Sequence, residues 1–156
     1  IAYDFVEIFT KCVVIFSFCI KFEDVIRLRT ATRKFDHTLV EKRKIEKILE
    51  AGRLAPTAKN LQPQKIFVVS SEEGLIQIDK ASPCRYNAPL VLMICSDKSR
   101  AFQKNGYSTY EMDAVIVATH MMLEATNLGV DNVWVEMFDK SILKKAFKLK
   151  EDLEPI

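Results

Sequence analysis

Apolar positions recur along this chain in two rhythms, one of period near four and one of short continuous runs. Phe5, Ile8, Phe9, Cys12, Val13, Phe16, Cys19 and Ile20 follow the i, i+3, i+4, i+7 spacing of one helix face. This predicts an amphipathic segment over residues 1–21, packed on the body of the protein or on a second copy. KFEDVIRLRTATR (21–33) reads as a further helix. So does TLVEKRKIEKILEAGRLA (38–55), with Ile45, Ile48 and Leu49 as its buried stripe and Gly52 and Pro56 in its end region. KIFVVSS (65–71) is rich in β-formers and predicts a strand. SEEGLIQIDKA (71–81) predicts a short helix capped by Ser70 or Ser71.

PLVLMICSD (89–97) is a continuous apolar run, the pattern of a strand buried on both faces. A long helix follows over 108–128. Its stripe of Met112, Val115, Ile116, Thr119, Met122, Leu123 and Ala125 is wide enough for a domain centre or an interface. Gly129 ends that helix. DNVWVEMF (131–138) predicts a third strand, and Asp139 caps a last helix with Ile142, Leu143, Ala146 and Phe147 inward. Pro155 and Ile156 read as the start of another strand. Helices and strands mix without strict alternation, so the expected class is α+β, a central mixed sheet flanked by helices.

Composition narrows the function classes. A chain of 156 residues holds one domain with a real core. With 49% apolar and 28% charged residues it is globular, not disordered. A net charge of +2 makes no global demand for nucleic acid. The run CVVIFSFCI (12–20) is too short to span a bilayer, which needs about 20 residues. Asp4 and Glu7 ahead of it do not suit a signal peptide. Cys12, Cys19, Cys84 and Cys95 form no CxxC and have no histidine at metal-ligand spacing, so they read as reduced thiols of a cytoplasmic protein.

Two polar stretches could carry chemistry. In RTATRKF (29–35), Arg29 and Arg33 stand four apart, so on a helix both guanidinium forks would face one anion. Thr30 and Thr32 add hydroxyl donors. Residues 21–59 carry eleven Lys or Arg against six Asp or Glu, which suits an anion site or a solvated helix equally. In APTAKNLQPQKI (55–66), Pro56 and Pro63 stiffen a loop in which Thr57, Asn60 and Gln62 offer polar groups around small Ala55 and Ala58. A flat ring could approach such a backbone closely, although an ordinary helix-to-strand connection has the same composition. Asp113, His120 and Glu124 can share a helix face. With no second histidine nearby, a hydrogen-bonded surface is preferred to a metal or acid–base site. No GxSxG, P-loop, HExxH or GxGxxG occurs.

Taken in order, RTATRKF, APTAKNLQP, the apolar strand after Ala88-Pro89 and LGVDNVWVEMFD resemble the nitroreductase family of flavoenzymes. The likeness runs from about Phe22 to Ile156. It implies a nitroreductase-like domain over 22–156 that binds FMN at a homodimer interface. Arg29, Thr30, Ala31 and Arg33 would meet the phosphate, ribityl chain or ring edge. Pro56, Thr57, Ala58 and Asn60 would come from the partner subunit, and Val135, Glu136 and Met137 would lie along the ring with a backbone N–H near flavin N5. The implied reaction is ping-pong hydride transfer from NADH or NADPH through the flavin to a small electron-poor acceptor, with no catalytic side chain. Ala31 and Thr57 stand where the family usually has serine. The family pattern also continues beyond Ile156 into a strand end and a basic tail, so the C-terminal part is expected to be missing here. The competing readings are a flavin carrier without turnover, another reaction of the superfamily such as dehalogenation or azoline oxidation, and an anion or nucleic-acid binding module. The last is disfavoured because the basic region has few aromatic platforms.

Overall fold

The computed structural model describes residues 21–156, so the N-terminal segment and its two cysteines lie outside the described residues. Five helices and five strands follow in the order α1 (Phe22–Leu28), α2 (Lys42–Leu54), β1 (Gln64–Val69), α3 (Glu72–Ala81), β2 (Val91–Asp97), β3 (Gln103–Lys104), β4 (Tyr107–Ser108), α4 (Tyr110–Asn127), α5 (Lys140–Ala146) and β5 (Leu153–Pro155). The main sheet has the order β1-β2-β5 and both pairings are antiparallel. An isolated parallel bridge joins Ala31 to Asn132.

The register explains the layers. Phe67 lies opposite Met93 and Val69 opposite Val91, and this face packs on Ile78 and Ala81 of α3 and Leu143 of α5. The alternate residues Ile66, Leu92 and Ile94 pack on Ile48 of α2 and on Val117, Met121 and Ala125 of α4. Because side chains alternate across a strand, one apolar run supplies both cores. Cys95 lies in this run and is fully buried; burial, reinforced by Glu154, pushes its thiol up to about 12.

Most predicted ends are close to those observed. Ser71 caps α3 by accepting from the Gly74 amide, and the Asp139 carboxylate accepts from the Ser141 and Ile142 amides at the start of α5. Leu128 and Gly129 close α4, with Gly129 at φ +66, a left-handed conformation in which other residues are strained. The strand expected at the C-terminus forms as β5, and the Ile156 amide extends it with a bond to the Ile94 carbonyl.

Two expectations fail. Residues 131–138 form no ladder beyond the single bridge at Asn132, since their partner is the irregular 31–32 stretch and not a strand. The helix expected over 21–33 stops at Leu28. Thr32 gives its amide to the Asn132 carbonyl instead of to a preceding turn, and β-branched threonines hold a helix weakly.

The sheet edge is tied down by charge. Lys98 Nζ and Lys144 Nζ lie 2.9 and 2.7 Å from one oxygen of Glu154, joining β5 to α5 and to the end of β2. Burial raises the Glu154 carboxyl, but hydrogen bonds to the two ammonium groups outweigh it and hold the group below its usual value. A depressed folded value contributes stability above the unfolded carboxyl value, and that contribution is lost as pH falls through the folded one. Glu154→Gln is therefore expected to cost about 1.5–3 kcal/mol at neutral pH. The gap to wild type should close on acidification. Melting both proteins from neutral pH to about pH 3 checks this, and melting curves that stayed parallel would refute it.

Candidate functional site

The nominated residues assemble into two groups. The first is built where α1 ends. Arg29 is half-buried, extended at φ −60 and ψ 116, and gives its amide to the Val25 carbonyl as the last helical bond. Ala31 then bridges Asn132, and Thr30 and Arg33 are exposed. The shared helix face expected for Arg29 and Arg33 does not exist. Residues two apart share a side of an extended segment, so the two arginines can still lie on one side, but their Cα atoms separate by up to about 13 Å instead of about 6 Å. The helical i, i+4 pairing of the two forks is thus lost. Arg33 faces the Tyr86 hydroxyl, which the adjacent Cys84 side chain makes a weaker acid and Arg33 partly restores.

The Asn132 carbonyl ties this group to the 131–137 stretch. The Asn132 side chain donates to Val130 O at 3.1 Å and to Thr126 Oγ1 at 3.2 Å, while its Oδ1 is buried without a partner. Beyond it, Trp134 and Val135 line a cavity of about 840 Å3 together with Phe35, β2 and α4. Its size is that of a ligand pocket. Val135 is nevertheless the single nominated residue that lines it. Glu136 and Met137 are exposed, and the Met137 carbonyl accepts from Ser82 Oγ at 2.6 Å.

The second group is the loop after α2. Lys59, Asn60 and Gln62 adopt φ of 52, 55 and 46, a left-handed run without a glycine. Asparagine tolerates this region; lysine and glutamine are strained there. Such strain persists only when surrounding contacts fix it. Thr57 Oγ1 accepts the Gln62 amide at 3.0 Å, and the Gln62 side chain donates to Asn60 Oδ1 at 3.3 Å. The Lys59 ammonium sits 4.7 Å from the centre of the Phe102 ring. From below, Asp113 of α4 accepts the Ala58 amide at 2.8 Å and the Thr109 hydroxyl at 2.8 Å. Pro56 and Asn60 are exposed, and Thr57 and Ala58 half-buried.

Asp113 is thus hydrogen-bonded, but to Ala58 and Thr109 rather than on a face shared with His120 and Glu124. Those two line a shallow hollow with Phe22, Val25 and Leu123. Thr109 and Asn132 are site residues that the sequence did not single out. Thr109 stands four before Asp113 on one helix face, a readable signal. The Asp113–Ala58 bond spans 55 residues and left no local trace.

The nitroreductase-family model matches residues 26–85 and 79–156. The chain belongs to the nitroreductase family. A solved nitroreductase family protein from Clostridium difficile 630 is 38% identical and superposes with a TM-score of 0.85, covering 88% of this chain and 80% of its own. An FMN-dependent nitroreductase from Clostridium difficile R20291 is 26% identical, with a TM-score of 0.71 over 84% of this chain and 80% of that one. A protein of Archaeoglobus fulgidus provisionally named NADH dehydrogenase/NAD(P)H nitroreductase is 29% identical over 133 residues, 83% of this chain and 74% of that protein. The α+β fold described above is thus the nitroreductase fold. Among the described residues no helix is long and apolar enough to cross a membrane.

Proposed function

We propose that this protein is an FMN-dependent oxidoreductase that takes electrons from NADH or NADPH and gives them to a small electron-poor acceptor. The observation that carries this reading is the bridge between Ala31 and Asn132, which sets the cationic stretch beside the segment leading to Val135–Met137. The donor set suits a flavin mononucleotide. Guanidinium groups match a phosphate and a polar ring edge, and threonine hydroxyls match a ribityl chain. The names of relatives as FMN-dependent and NAD(P)H nitroreductases support the same reading.

Arg29 would bind the phosphate, with Thr30, Ala31 and Arg33 along the chain and ring edge. Val135, Glu136 and Met137 would line the ring, and Pro56, Thr57, Ala58 and Asn60 of a second copy would close over it. The chemistry supplied by bound FMN is two-electron transfer, a hydride accepted from NAD(P)H and given in a separate step to a nitroaromatic or quinone. The protein groups bind, orient and exclude water. A homodimer suits the division into two groups. It also suits Met112, Val115 and Ile116 of α4, which are exposed apolar side chains on one helix. A cytoplasmic setting fits the reduced pyridine nucleotide.

The test is spectroscopic. The protein is mixed with FMN, freed of excess, and followed anaerobically with NADH or NADPH and then a nitroaromatic or quinone. Retained yellow colour that bleaches and returns supports the reading. Colour that never bleaches points to a flavin carrier, and no retained colour refutes the cofactor assignment.

A further inference from the structure

We infer that Asp113 is a positioning residue for the cofactor, acting through the 56–62 loop without touching the flavin. This rests on the function proposed above. Asp113 is 2% exposed and sits in the first turn of α4. Its two oxygens are used differently. One takes the Ala58 amide and the other the Thr109 hydroxyl. Its own amide bonds the Thr109 carbonyl, and the Thr109 hydroxyl bonds its side chain, so the carboxyl is held to the start of its own helix.

The grip comes at the residue before the left-handed run. Ala58 opens the short 3-10 turn Ala58–Asn60, and Lys59, Asn60 and Gln62 follow with positive φ. A chain left to itself would relax from that conformation. One fixed amide at its entrance, with the Thr57–Gln62 bond closing the turn, holds it in place. Burying a carboxyl group is costly unless its oxygens are hydrogen-bonded, and here an amide and a hydroxyl supply those bonds. The arrangement is understandable where loop shape decides how Asn60 and Thr57 meet a ring. α4 also carries the exposed apolar face assigned to the dimer contact, so Asp113 couples the loop to the same helix that would carry it toward the second subunit.

The test compares wild type, Asp113→Ala and Asp113→Asn as full chains. Hydrogen exchange of the 57–62 amides is measured without cofactor, and FMN affinity by fluorescence quenching. In Asp113→Ala, exchange in the loop should rise about tenfold or more, with β1 and β2 unchanged, and the FMN Kd should rise by a similar factor. Asparagine still offers an oxygen to Ala58 and should restore most of both. If Asp113→Ala fails to fold, Thr109→Val removes the hydroxyl that fixes the carboxylate and should show the same two effects in weaker form. Unchanged loop exchange would overturn the inference. A loosened loop with unchanged FMN affinity would overturn it too, leaving Asp113 a structural residue only. Failure of wild type to bind FMN would sink the functional reading itself, and with it this one, and is told apart because it appears without any mutation.

Discussion

Arg29→Ala should leave the protein nearly colourless after gel filtration with FMN. Arg29 is the half-buried cation of the RTATR stretch, fixed where α1 ends and just ahead of the bridge to Asn132. A hydrogen bond to a charged group is worth about 1.5–3 kcal/mol, which corresponds to a loss of about ten- to more than hundredfold in affinity. Arg29→Lys keeps the charge but loses the planar fork, so its affinity should fall between the two. Arg33→Ala should cost less, because Arg33 is exposed. Titrating FMN into the three variants orders them. An Arg29→Ala protein binding flavin within about twofold of wild type would remove Arg29 from the site.

The largest effect on folding is expected in the α2–α4 core. Met121 is 3% exposed and lies against Gly52, where an added Cβ would stand 2.8 Å from its sulfur and 2.9 Å from its Cγ. Met121→Ala should lower stability by about 2–5 kcal/mol. Gly52→Ala alone overfills the same space, costing about 1–3 kcal/mol, and recovers about 1 kcal/mol of helix propensity. Combined, the two should change sign relative to each other. With Met121 truncated the new methyl has room, so Gly52→Ala becomes neutral or stabilising. Urea unfolding of the four proteins in a double-mutant cycle measures this coupling. Strict additivity would show that Met121 does not restrain Gly52.

This contact also shows what the sequence could and could not convey. Gly52 was legible as a residue near a helix end; its service as a close approach depends on Met121, sixty-nine positions away. The helices and strands of the core were readable because burial imposes a period, as in Ile45, Ile48 and Leu49 or in the run from Val91 to Asp97. The segments without a period were the ones misread. Arg29 to Arg33 looked helical by continuation of a pattern, yet the Thr32 amide bonds the Asn132 carbonyl and Ala31 bridges Asn132. Val133 to Phe138 have strand-forming side chains but lack a strand beside them. The small hairpin of β3 and β4 turns on Asn105-Gly106, both at positive φ, a turn signature carried by the sequence itself. For the site, the two motifs were visible as residues and their order, whereas the tie through Asp113 exists only in three dimensions.

The left-handed loop has a bearing on how this protein could change over generations. Each strained residue there sacrifices about 1–2 kcal/mol of a folding margin that for whole domains is only about 5–15 kcal/mol. Glycine at Lys59 would relax the backbone, and it lies two base changes away. Selection of variants for heat resistance alone should therefore enrich glycine at Lys59 and Gln62, trading the shape of this loop for endurance.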